Sequence, residues 1–118
     1  MSKAIDLVQH CTTMEDVRRQ VNALDDVLVP LLVTRIGYMQ QAARIKGDVN
    51  QVRDEARIAA IVQRVRERCE QEGGQPDVME AVYRDLMEAC IAYEHREFAR
   101  LRAGTSGLDL EPSSGEQA

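Results

Sequence analysis

Apolar residues recur at helical spacing along three stretches of the chain, with polar residues filling the positions between them. Val17, Val21, Leu24, Leu28, Leu31, Leu32, Ile36, Met39 and Ala43 keep one phase and predict a helix over residues 14–46. Its start is marked by Thr12-Thr13-Met14-Glu15-Asp16, in which Thr12 with Glu15 and Thr13 with Asp16 form overlapping capping boxes. Gly47-Asp48-Val49-Asn50 breaks the pattern. Ile58, Ile61, Val62, Val65 and Cys69 then predict a second helix over 52–72, ended by Gly73-Gly74. Pro76 suits the first turn of a third helix, which Met79, Val82, Tyr83, Leu86, Met87, Cys90, Ile91, Phe98 and Leu101 carry to about residue 103. No stretch alternates with the period of a strand, and no internal repeat, P-loop or GxGxxG occurs. The fold class that follows is all-α, a three-helix protomer with a long first helix.

Pro30 lies midway along the first helix, where it removes a backbone hydrogen bond and crowds the preceding turn. The apolar spacing keeps its phase across the proline and no turn residue accompanies it, so a kinked single helix is expected rather than two. Such a helix extends about 50 Å at about 1.5 Å per residue, whereas a compact domain of this size has a radius of gyration of about 13 Å. The other two helices cannot cover so long a rod, which points to a homodimer in which the long helices cover each other. The domain plan is an N-terminal extension over 1–12, the helical domain over 13–103 and a disordered tail over 104–118, rich in Ser, Gly, Asp, Glu and Pro.

Charges interrupt two of the apolar stripes. Arg35 falls inside Leu28, Leu31, Leu32, Ile36 and Met39, and Lys46, eleven positions on, returns to within about 20° of its direction. Burying unpaired cations is costly, so an anion must meet them. Either acidic side chains of this chain do so, or the cations line a cleft for an anionic ligand. Glu94 lies in the stripe Tyr83, Met87, Cys90 and Phe98. It could pair with Arg35 or Arg96, or stand in the cleft beside the cations. Arg18 is seventeen residues from Arg35, about 25 Å along the axis and about 100° around it. It cannot join the same small site in its own protomer, but an antiparallel partner could supply it.

Composition narrows the function classes. The 118 residues suit one domain, 44% of them hydrophobic and 30% charged, with 3% aromatic content that favours helices over strands. A net charge of −5, without aromatic-basic interleaving, argues against nucleic-acid binding. Cys11, Cys69 and Cys90 have no paired spacing and His10 and His95 no ligand spacing, so no metal site is expected. No segment approaches the roughly 20 apolar residues of a membrane span, and Met1-Ser2-Lys3-Ala4-Ile5-Asp6 does not open a signal peptide. A cytoplasmic protein is expected.

Taken together, Asp16-Val17-Arg18, Leu24-Asp25, Arg35, Ala42-Ala43-Arg44-Ile45-Lys46, Val52-Arg53-Asp54-Glu55-Ala56-Arg57 and Glu94 resemble the all-helical class of chorismate mutases. They also resemble the related isochorismate pyruvate lyases. The resemblance covers residues 11–100. Cys11-Thr12 followed by Asp16-Val17-Arg18 looks most like the lyase-related subgroup, and Val52-Arg53-Asp54 with Arg57 looks more like authentic mutases.

The resemblance implies an intertwined helical homodimer with two active sites and no cofactor, acting on a small dicarboxylate, chorismate or isochorismate. It implies catalytic roles for Lys46, Glu94 and Arg35. Arg18, from the partner, and Arg35 would hold the two carboxylates. Lys46 would contact a carboxylate and the ether oxygen. Asp54 and Arg57 would lie over the ring, Asp54 near its hydroxyl and Arg57 towards a carboxylate, and Glu94 would hydrogen-bond the ether oxygen where bacterial members often have Gln. Cys90 stands where some mutases have a small hydroxyl residue, and Ile58 where a Glu helps hold the ring hydroxyl. Taken singly, Arg18 and Arg57 also read as solvated helix charges, Lys46 as a cation at a helix C-terminus and Asp54 as a helix cap. The expected function is a chorismate mutase, with isochorismate pyruvate lyase as the alternative and a non-catalytic helical interaction or regulatory dimer as a second one.

Overall fold

The computed structural model describes residues 2–108. Three α-helices carry the chain: α1 (Met14–Ile45), α2 (Glu55–Gln71) and α3 (Pro76–Leu108). Single 3-10 turns at Ala4–Leu7 and Val49–Gln51 precede α1 and α2, and the described residues contain no strand. The molecule measures 62 × 30 × 24 Å with a radius of gyration of 18.8 Å. A compact domain of about 100 residues would have about 13 Å.

Each helix boundary has a local cause. Thr13 caps α1, its hydroxyl accepting from the Asp16 N–H at 3.1 Å, while the Asp16 carboxylate reaches back to the Thr12 N–H. α1 runs unbroken through Pro30, as the phase of the apolar positions requires. Pro30 and Asp26 are exposed, so the Asp26 carbonyl that loses its helical partner faces water. α2 begins at Glu55 rather than 52 because the Asp54 carboxylate accepts from the Arg57 N–H at 3.0 Å and sets the first turn there. It ends in a Schellman motif, with Gly74 N–H donating to Cys69 O at 2.9 Å and Gly73 N–H to Glu70 O at 3.1 Å. Gly73 has φ 82°, a conformation open to glycine at little cost. The N-terminal segment docks on this motif through Ile5 N–H to Glu72 O at 3.1 Å and Ala4 N–H to the Glu72 carboxylate at 2.8 Å.

α3 outlasts its expected end. It continues through Gly104 to Leu108, since a single glycine costs a helix only about 1 kcal/mol. Residues 104–108 of the expected tail are thus helical, and residues 109–118 lie outside the described residues.

α3 is the central element and packs on both α1 and α2. Ala43, Val52, Val62, Cys69, Met87 and Cys90 form the core, together with the buried carboxylates Glu94 and Glu97. Gln40 donates to Glu97 at 2.9 Å, and Arg100 donates to the same oxygen, joining α1 to α3. Only the last part of α1, from about Arg35, is covered. Along residues 14–33 Leu24 is 67% exposed and Leu31 62% exposed, with Val21, Val27, Leu28 and Val33 also in the open.

Candidate active site

A cavity of about 360 Å³ opens where the C-terminal half of α1, the start of α2 and the middle of α3 converge. Arg35 and Lys46 enter it from α1, Asp54, Arg57 and Ile58 from α2, and Cys90 and Glu94 from α3, above an apolar lining that includes Met39 and Met87. Seven of the eight residues singled out in the sequence are thus brought to one place. Arg18 does not line the cavity; it is exposed on α1.

The two anomalous stripe residues are neighbours. Lys46 Nζ lies 2.7 Å from Glu94 Oε2 and 3.4 Å from the Val52 carbonyl. Glu94 is 3% exposed. Its Oε2 sits at ion-pair distance from Lys46 without the angle of a hydrogen bond, and is a buried oxygen with no hydrogen-bond partner among the described residues. Glu94 therefore pairs with Lys46, not with Arg35 or Arg96. Arg96 instead stacks over the Tyr93 ring at 5.1 Å.

Arg35 has a softer environment. Its Nη1 donates to Cys90 Sγ at 3.6 Å and its guanidinium sits 5.6 Å from the centre of the Tyr83 ring. Among the described residues, no carboxylate forms an ion pair with Arg35 or Arg57. The two embedded cations therefore differ in their surroundings. Lys46 is met by an acidic side chain of the chain itself, and Arg35 is left facing the cavity with sulfur and a ring as neighbours. Asp54 does act as the cap of α2 while lining the cavity.

The cationic surface continues past the cavity. Arg35 and Arg57 also border an adjoining cleft of about 310 Å³ lined by Arg64, Arg68 and Tyr83. Arg68 is paired with Glu72 at 2.9 Å. No acidic residue lines this cleft. A larger cavity of about 430 Å³, under the N-terminal segment and beside Cys69 and Met79, is apolar and has a single cation at its edge, Arg68.

Two parts of the site escaped the sequence reading. The Val52 carbonyl is a backbone atom with no side-chain signature. Arg102, at the far end of α3, holds the end of α1 through the carbonyls of Ala43 and Lys46. Its spacing from Phe98, four residues back on one helix face, was the available signal.

The arrangement offers two unneutralised guanidinium groups for carboxylates, an ammonium for an oxygen that gains charge, and an apolar wall for a ring. A family model described as chorismate mutase type II matches residues 17–95, more than half of the chain and all of the cavity-lining residues. No curated protein matches the chain.

Proposed function

The chain belongs to the chorismate mutase type II family, and on that premise we propose that the cavity between α1, α2 and α3 rearranges chorismate to prephenate. The observation that carries this reading is the convergence of Arg35, Arg57 and Lys46 on one apolar-walled cavity in which neither guanidinium has a carboxylate partner among the described residues. In the rearrangement the ether C–O bond breaks as a C–C bond forms, with no nucleophile, proton transfer or cofactor. The protein's task is to hold the dicarboxylate in a compressed conformer, a matter of positioning, and to stabilise negative charge growing on the ether oxygen. Arg35 suits a carboxylate through its bidentate fork. Lys46 suits the ether oxygen as a compact donor, and Glu94, 2.7 Å from its ammonium, holds it in the cavity.

The active unit is a homodimer in this reading. The apolar N-terminal half of α1, open to solvent in one chain, is covered by the same helix of a second chain. Arg18 of the partner subunit then reaches the site that Arg18 cannot reach in its own chain.

Cys90 and Ile58 favour keeping a second substrate in view. They line the cavity at the positions where the family's mutases hold the ring hydroxyl, and isochorismate carries that hydroxyl elsewhere on the ring. A lyase would break the same C–O bond with hydrogen migration, releasing salicylate and pyruvate. Offering the purified protein chorismate and isochorismate separately decides the matter. Prephenate from the first is the expected product. Salicylate and pyruvate from the second, with chorismate untouched, would transfer the assignment to the lyase.

A further inference from the structure

α1 ends at Ile45, and its last carbonyls lack helical partners, as at any helix C-terminus. Gly47 N–H, which would serve Ala43 O in a longer helix, donates instead to the Gln51 side chain at 3.0 Å. Arg102 fills the gap. Its Nη1 donates to Ala43 O at 2.6 Å and its Nη2 to Lys46 O. The guanidinium lies 3.7 Å from the centre of the Phe98 ring, one turn earlier on α3, which fixes the plane of the fork. A cation here also meets the negative end of the α1 dipole.

Lys46 is the capping residue at this point, with an extended backbone (φ −66°, ψ 138°). α3 thus holds it twice. Arg102 holds its carbonyl, and Glu94, eight residues earlier on the same helix, holds its ammonium at 2.7 Å. Without the first contact, the main chain of the residue where the helix gives way to the 47–54 connection keeps its N–H bond to Ala42 O, and its ammonium keeps Glu94 and the Val52 carbonyl, but its own carbonyl is released. We propose that Arg102, which lies beyond the residues matched to the family, is a positioning residue for Lys46: it sets the height at which the ammonium enters the cavity. The proposal rests on the reading that Lys46 acts at this cavity.

The test uses the full chain. Arg102→Ala is expected to lower kcat for chorismate by about tenfold while KM changes by less than about threefold, since Arg35 and Arg57 still bind the carboxylates and the loss is one of alignment. Arg102→Lys keeps a cation and the stem and should recover part of kcat. A second readout is independent of turnover. Lys3 and Lys46 are the two lysines of the chain, so competitive acylation with an amine-reactive ester, resolved by peptide mass, reports Lys46 against Lys3 as internal reference. Reactivity of Lys46 relative to Lys3 should rise in both variants, more in Arg102→Ala; if that variant does not fold, Arg102→Lys carries both readouts. A folded Arg102 variant with unchanged acylation ratio or unchanged kcat overturns the proposal. So does a parallel change in kcat, KM and melting temperature with Lys no better than Ala, which marks a structural role alone. If the unaltered protein converts neither chorismate nor isochorismate, the functional reading fails, and the acylation ratio still decides whether Arg102 holds Lys46.

Discussion

Lys46 and Glu94 face each other across 2.7 Å inside the cavity, yet the contact leaves Glu94 Oε2 without a hydrogen bond. An anion fixed there would oppose charge developing on an ether oxygen held by Lys46, whereas a carboxylic acid would donate to it. Glu94→Gln supplies a permanent donor of the same shape. Its kcat/KM for chorismate should equal or exceed that of the unaltered protein, as steady-state rates of the two at one pH check. A severe loss in Glu94→Gln would show that the contact with Lys46 needs the carboxylate.

Among the described residues Arg35 meets Cys90 sulfur and the Tyr83 ring and pairs with no carboxylate, so little of the described fold depends on its charge. Arg35→Gln should leave the helical content and assembly state intact and lower kcat/KM for chorismate by orders of magnitude, because a misoriented dianion forfeits the positioning contribution. Near-normal turnover in a folded protein of unchanged mass would remove Arg35 from the site.

Assembly can be tested by complementation. Arg18→Ala and Arg35→Ala proteins should each be inactive alone. Mixed, with subunit exchange verified by mass, they should regain activity, because one site of the heterodimer collects both lesions and the other neither. Absence of recovery despite exchange would place Arg18 outside the partner's site.

Glu97 links α1 to α3, and its carboxyl is held below the ordinary glutamate value of 4.5, first by the hydrogen bond from Arg100, then by that from Gln40, with burial opposing. A carboxyl lowered by folding contributes stability above its unfolded value and loses it as pH falls through the folded one. The protein should therefore lose stability as pH drops below about 4.5. Glu97→Gln should be less stable at pH 7 and show a shallower decline in acid. Melting temperatures of the two proteins between pH 7 and 3 check this; parallel declines would mean that Glu97 is not a source of the acid sensitivity.

The helices were legible because their causes are local. Apolar phase carried α1 across Pro30, and Gly73-Gly74 marked the Schellman end of α2. Boundaries slipped where one side chain chose among turns. Asp54 starts α2 three residues later than the apolar pattern allows, and Gly104 fails to stop α3. At the site, the 100° step put Arg35 and Lys46 on one side, and Glu94 was expected beside these cations; Asp54, Arg57 and Cys90 came from the resemblance alone. That Glu94 pairs with Lys46 and not with Arg35 or Arg96 depends on packing between α1 and α3, which helical angle does not describe. Arg102 was missed for another reason: its spacing from Phe98 marks a ring contact, but what it binds is backbone, which reads the same in every sequence.

The row of arginines along the cavity and its adjoining cleft sets how a doubly negative ligand arrives. The chain as a whole carries −5 and repels such a ligand at long range, while Arg35, Arg57 and Arg64 attract it close in. The two effects have different reach. Salt near physiological strength, with a screening length of about 8 Å, suppresses the distant repulsion before it weakens the contact with the cleft. Association should consequently quicken on the first addition of salt and slow only at higher concentrations, a turnover in ionic-strength dependence that a uniformly basic protein does not have.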